Sequence, residues 1–422
     1  MSPSLCGSER NSLPVNFYSI SLMTHSPPTT VISQTTAPRL VSLDAYRGLV
    51  MLFMASSGLG FAKIAHAHPD SAFWQIIAFH TSHAIWLGGG AWDMIQPSFM
   101  LMVGMSLPYS LSRRLRDGEA FGGIFAHTLW RSFVLIALAV FLTTGTKKQP
   151  DFTFPNVLAQ IGLGYPFVFL LANRGLKIQI TAIVSIALGV WAAFAMYPLP
   201  ADLTNLTTLG VSGDVATQAV LPGFFGHWSM NVNFAANFDR WFLNLFPRES
   251  AFVFNAGGYQ TLNFIPAIIT MSLGLMAGEA LRSERSETQK LKWLVVSGGV
   301  CVGLGVLAGA TVCPIIKRIW TPSWALYSGG IVLWAVAFFY WVIDIRGWKA
   351  WSKPLVVVGM NSIAIYVAHS LLGGWLRSIG RTYLGGEIFD GAFGPFWSSL
   401  LVLVSLWLMC LWLYRRKIFL KI

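Results

Sequence analysis

Between Lys292 and Lys317 the chain runs without one charged side chain, and the stretches 178–197 and 394–414 are uncharged as well. A helix needs about 20 apolar residues to cross a hydrocarbon layer about 30 Å thick. Only helices and closed barrels can carry a backbone through that layer with every N–H and C=O paired. Runs of this length predict an all-α, polytopic membrane protein. Composition agrees, because 11% of the 422 residues are charged, against about 25% in an average soluble domain.

Apolar blocks and their breakers predict about ten spans, near 45–65, 94–112, 128–146, 154–173, 178–197, 261–281, 293–314, 321–343, 354–376 and 394–414. The alternate loops at 113–116, 173–177, 281–292 and 346–353, with the basic tail, hold sixteen Lys and Arg, against nine in the opposite set. By the positive-inside rule both termini are then cytoplasmic, and the excess of basic residues needs no nucleic-acid partner. Membrane lipid is the expected surrounding. Residues 1–38, rich in Ser, Thr and Pro, read as a disordered tail ahead of a membrane domain over 39–422. Residues 198–260 are longer than a connection requires and too aromatic for disorder, so they read as an extracytoplasmic cap. The four cysteines are scattered without metal-ligand spacing or a disulfide pattern, and no metal is expected.

The densest polar constellation is "HAIWLGGGAWDMIQP", His83 to Pro97. Asp93 opens the next span, where its carboxylate can cap the helix or turn back on His83. A carboxylate that takes the proton of one ring nitrogen fixes the tautomer and raises the basicity of the other, as a general base requires. The plain alternatives are an interfacial histidine, an N-cap aspartate and, in Trp86, a membrane-interface anchor. Asp44 and Arg47, three apart at the entry to the first span, read as a structural pair. Asn361 and His369 on a late span and Asn263 at the start of another are candidates to line a substrate path or to bond between helices. In "IKRIWTPS" Lys317, Trp320 and Ser323 read either as an interfacial aromatic and basic turn capping a helix start or, with Lys317 beside Trp320, as a place to hold an anion or a sugar.

Several landmarks resemble one family, the heparan-alpha-glucosaminide N-acetyltransferase-like membrane proteins, including a bacterial branch. They are "RLVSLDAYRGL" at 39–49, the spacing H-x2-W-x-G-x4-D-x3-P from His83 to Pro97, "FMLMVGMSL" at 99–107, "FDR" at 238–240, "WTPS" at 320–323 and "GMNSIAIYVAH" at 359–369. The resemblance implies that His83 is catalytic, as general base or acyl carrier, with Asp93 orienting it. It also implies that acetyl-CoA is the donor substrate, that an amino sugar or other glycan on the extracytoplasmic side is the acceptor, and that the protein is a homodimer. Trp86, His227 and Asp239 then join the candidates for acceptor binding, with a self-packed cap as the alternative for the last two. Arg113, Arg114, Arg116 and Lys353 are the candidates for the CoA phosphates. There are departures: an asparagine assigned to catalysis in the animal enzyme is matched here by Gly58, and the family's "VLQR" appears as "VLAQ" (157–160), leaving Gln160 as the nearby side-chain amide. The expected location is a plasma membrane or bacterial inner membrane. The rival reading is a transporter or flippase with a polar path through the bilayer.

Overall fold

The computed structural model describes residues 40–145, 147–200, 203 and 206–420; the proposed tail at 1–38 lies outside them. In chain order the helices are α1 (Val41–Ala55), α2 (Phe61–Ala67), α3 (Ala72–Thr81), α4 (Ile95–Arg116), α5 (Phe121–Thr144), α6 (Val157–Leu171), α7 (Leu176–Ala195), α8 (Gly213–Ala219) and α9 (Phe234–Phe242). They continue as α10 (Phe264–Arg282), α11 (Glu287–Thr311), α12 (Pro322–Phe339), α13 (Lys353–Gly359), α14 (Ser362–Leu384), α15 (Glu387–Asp390) and α16 (Gly394–Arg415). Among the described residues there is no strand, only isolated bridges at Leu87, Gly88 and Ile316.

The chain is an all-α integral membrane protein, and a helix stands at each of the ten expected spans. Seven are long and apolar enough to cross a bilayer, or eight if α13 and α14, bent by 65°, make one broken span. The difference has physical causes. The helix α6 is only 15 residues long because Asn156 caps its start, and α4 carries Gln96, two prolines and three arginines in its 22 residues.

Burial separates inner from lipid-facing helices. In its most apolar window, the segment containing α10 is 78% buried, whereas α7 is 17% buried and shows Ile180, Val184 and Leu188 outward. The centre is built on close backbone contact between α4 and α10. A Cβ at Gly104, Gly274 or Gly278 would run into main-chain atoms of the facing helix, so only glycine permits this approach.

The segment between α7 and α10 packs around apolar side chains of its own and of neighbouring turns. Trp228, Met230, Val232 and Leu221 form a second apolar cluster with Trp86 and Ile316, separate from the core of the bundle. Asn233 caps α9 by accepting the Ala236 N–H at 3.0 Å, and Asp239 accepts the Thr261 N–H at 2.9 Å, tying α9 to the start of the next span.

Candidate active site

His83 lies between α3 and the short turn Ala91–Met94 that leads into α4. Two segments hold this loop from outside. The Gly88 N–H bonds the Ile315 carbonyl at 2.8 Å, and Arg318 donates through Nε to the Ala84 carbonyl at 3.0 Å and through a terminal nitrogen to Gly257 at 2.6 Å. The Trp86 indole N–H reaches the Trp228 carbonyl at 3.0 Å. The histidine loop is therefore fastened to the 315–321 turn and to the cap.

Within this frame Asp93 is fully buried and uses both oxygens. Oδ1 is 2.7 Å from His83 Nδ1, and Oδ2 accepts the N–H groups of Ala84 and Gly90, each at 3.1 Å. Lys317, also buried, places Nζ 3.2 Å from Asp93 Oδ1, 3.0 Å from His83 Nδ1 and 3.3 Å from the Tyr259 hydroxyl. Burial by itself would lift the Asp93 carboxyl, but the His83 hydrogen bond, the Lys317 charge and the Ala84 N–H outweigh it and hold the group below its ordinary value.

An ionised Asp93 favours a proton on Nδ1, because at 2.7 Å a bare Nδ1 would set two acceptors against each other. The Lys317 ammonium faces the same nitrogen at 3.0 Å, with the carboxylate and the Tyr259 phenol as its acceptors. A neutral ring protonated on Nδ1 carries its lone pair on Nε2, the tautomer a general base needs.

His83 opens into a cavity of about 480 Å³ whose wall includes Trp92, Asn156, Tyr259, Lys317 and Tyr366. Asn156 Oδ1 accepts both the Leu158 N–H at 2.8 Å and the Tyr366 hydroxyl at 3.2 Å. A second cavity of about 670 Å³ shares Phe99, Val157 and Tyr366 with the first, and includes Arg47, Ser106 and Arg131 in its wall. A third, of about 50 Å³, shares Ser110 and Arg131 with the second and reaches Arg114 and His127. One face of α4, through Gln96, Phe99, Met102, Ser106, Ser110 and Arg114, touches all three in turn. At 1.5 Å per residue that face is about 27 Å long, close to the thickness of a hydrocarbon core.

The other sequence candidates are distributed around these cavities. Of those proposed for substrate binding, only Lys317 lines the His83 cavity. Trp86 is buried against the cap, Trp320 bonds Thr270 at 3.3 Å, and Ser323 bonds the Pro314 carbonyl at 2.8 Å. Asn263 holds the Arg318 carbonyl at 2.8 Å, and His227 the Tyr197 carbonyl at 2.8 Å. His369 meets Ser57 Oγ at 3.2 Å, and Asn361 accepts the Leu420 N–H at 3.2 Å.

Asp44 and Arg47 pair at 3.5 Å and both line the second cavity. Among the basic candidates Arg114 borders the smallest cavity, whereas Arg113 pairs with Asp117 at 3.8 Å, and Arg116 and Lys353 are exposed. Gln160 is buried, with its amide nitrogen spent on the carbonyls of Phe154 (2.6 Å) and Thr261 (3.2 Å).

Sequence reasoning missed Tyr259, Arg318 and Arg131. For Arg131 the signal was available, since a charged residue inside an expected span is costly there unless it has a role. Its Nε is buried without a hydrogen-bond partner among the described residues, and its guanidinium lies 5.1 Å from the centre of the Tyr165 ring.

The family described as "Heparan-alpha-glucosaminide N-acetyltransferase, catalytic" matches residues 39–222, which include His83, Asp93 and the whole of α4. Over these residues, fewer than half of the chain, the protein is similar to the catalytic region of heparan-alpha-glucosaminide N-acetyltransferases. It is 24% identical to the heparan-alpha-glucosaminide N-acetyltransferase of Homo sapiens over 91% of this chain and 60% of that protein. It is 23% identical to the one of Mus musculus, over 92% and 61% respectively. The chain thus spans about 60% of the length of these relatives. The landmarks from His83 to Pro97 fall within the matched region.

Proposed function

We propose that this protein transfers an acetyl group from acetyl-CoA, held at the Arg114 end of the passage, to the amine of a sugar or glycan reaching His83 from the other side. The observation that carries the reading is the opening of a carboxylate-backed imidazole into cavities in series that end among arginines. The positive-inside count puts the Arg114 end in the cytoplasm, so a polar nucleotide stays on its own side and only the thioester arm enters. Arg131 and Arg114 would hold phosphates, for which guanidinium geometry is suited.

At the other end Nε2 of His83 takes the proton of the attacking amine. The C–N bond forms, the C–S bond breaks, and the proton returns to the departing thiolate. Asp93 keeps Nδ1 protonated and balances the imidazolium while it exists. Acylation of Nε2 followed by transfer to the amine uses the same groups in the same places. The location proposed is a plasma or bacterial inner membrane.

A carrier reading draws on the passage alone and gives no reason for the His83–Asp93 pair. The test is transfer of labelled acetyl from acetyl-CoA to glucosamine and short glycans by protein in lipid nanodiscs. Transfer lost in His83→Ala supports the enzyme. A folded wild-type protein that neither transfers acetyl nor hydrolyses acetyl-CoA would end this reading.

A further inference from the structure

Acyl transfer needs a donor for the oxygen that becomes negative as the thioester carbonyl is attacked. The two amides that the family likeness suggests are not placed for it here. Gly58 has no side chain, and Gln160 is buried with its nitrogen occupied. Lys317 lines the cavity, but its ammonium is engaged by Asp93 and Tyr259.

Asn156 differs. It lies one residue before α6, on the wall of the same cavity as His83. Its Oδ1 is fixed from two sides, by the Leu158 N–H at 2.8 Å as the helix cap and by the Tyr366 hydroxyl at 3.2 Å. Because a backbone N–H must meet an oxygen, the amide cannot be turned end for end. Nδ2 makes no hydrogen bond with another described side chain or carbonyl, and it is not among the buried unpartnered atoms. An amide locked through its oxygen, with its two N–H groups unspent beside a cavity, is a preorganised donor: it needs no rearrangement when charge develops.

We infer that Asn156 is a catalytic residue that polarises the thioester carbonyl and holds its oxyanion through Nδ2, with Tyr366 as the positioning residue that sets the amide. The assignment rests on the acetyltransferase reading above. It puts the amide donor on α6 rather than at the end of the first span. The thioester carbonyl then sits where the two larger cavities meet, since Tyr366 and Val157 belong to both.

The experiment uses the full-length protein in nanodiscs with acetyl-CoA and the acceptor on which the wild type is active. Asn156→Asp keeps an oxygen for Leu158 and Tyr366 and removes the donor. Asn156→Ser keeps a helix cap and likewise removes it. Both should unfold within a few degrees of wild type and show an unchanged KM for acetyl-CoA, with kcat lower by about 100-fold. Tyr366→Phe should lose about 10-fold or less. The infrared stretch of a ¹³C-labelled thioester carbonyl should move to higher wavenumber in Asn156→Ser. Variants within threefold of wild-type kcat, or an unmoved carbonyl band, would overturn the donor role while leaving the transferase intact. Absence of transfer by the wild type, by contrast, would end the transferase reading and the donor role with it.

Discussion

Lys317 Nζ stands 3.2 Å from Asp93 Oδ1, so the carboxylate behind His83 is the anionic half of a buried ion pair. Removing one partner of such a pair strands the other charge and costs about 3–5 kcal/mol. Lys317→Met should therefore lower the thermal midpoint sharply. Combining it with Asp93→Asn should recover part of that loss, because the double variant leaves no unmatched charge. Thermal unfolding of the four proteins in one detergent measures the coupling, and strictly additive losses would contradict the pair.

Asp93→Asn on its own tests the tautomer. The amide can present an N–H to the ring and stabilise the form with Nδ1 bare and Nε2 protonated, which cannot accept a proton from an amine. A fall in kcat of about 10²–10⁴ is expected, measured below the lowered unfolding midpoint that the stranded Lys317 charge imposes. Since the surroundings hold the Asp93 carboxyl below its ordinary value, its stabilising contribution is complete above the unfolded value near 4 and is lost as pH falls through the lower folded value. Wild-type stability should therefore fall more steeply with acid below about pH 4 than that of Asp93→Asn, and equal acid dependence would remove Asp93 as the source.

Asp239 behaves in the opposite sense. Burial lifts its carboxyl to about 6 against the hydrogen bond from the Thr261 N–H, and its Oδ1 has no partner among the described residues. A raised folded pKa makes the fold hold a proton that the unfolded chain has released, so stability declines as pH rises from about 4 through 6. A two-unit shift corresponds to roughly 3 kcal/mol, much of it local to the cap. Hydrogen exchange in residues 206–260, corrected for intrinsic rates, should be faster at pH 7.5 than at pH 5. Asp239→Asn should flatten that dependence, and an unchanged profile would remove Asp239 as its source.

Arg131→Ala should raise KM for acetyl-CoA by about 10-fold with little change in kcat, as expected for loss of a charge-assisted contact far from the reacting carbon. Arg113→Ala, which removes an exposed side chain paired with Asp117, should raise KM less. Steady-state kinetics at fixed ionic strength decides the order, and equal effects would return the phosphates to the 113–116 cluster.

The placement of helices was legible because burying a backbone in lipid leaves few solutions, and long uncharged runs announce them. His83 and Asp93 were legible together because ten residues and one turn separate them. Lys317 drew notice for its charge, but its place on Asp93 depends on a contact between distant segments that no local spacing encodes. Tyr259 escaped for the same reason. Arg131 lies inside an apolar run, and no motif or spacing singled out its charge. Asn263 and Ser323 spend their side chains on backbone carbonyls, and the Trp320 indole donates to the Thr270 hydroxyl.

The continuity of α4 bears on how the two sides of the bilayer communicate. A carrier of the rocking kind exposes one site to each side in turn, so the elements lining its opposite mouths must shift against their neighbours. Here a single rod borders both mouths, and it touches α10 main chain to main chain through Gly104, Gly274 and Gly278, with no side-chain cushion on which to slide. Under the proposed transfer, α4 sets the distance between the arginine end and the imidazole, and the arm of the acyl donor has to cover it.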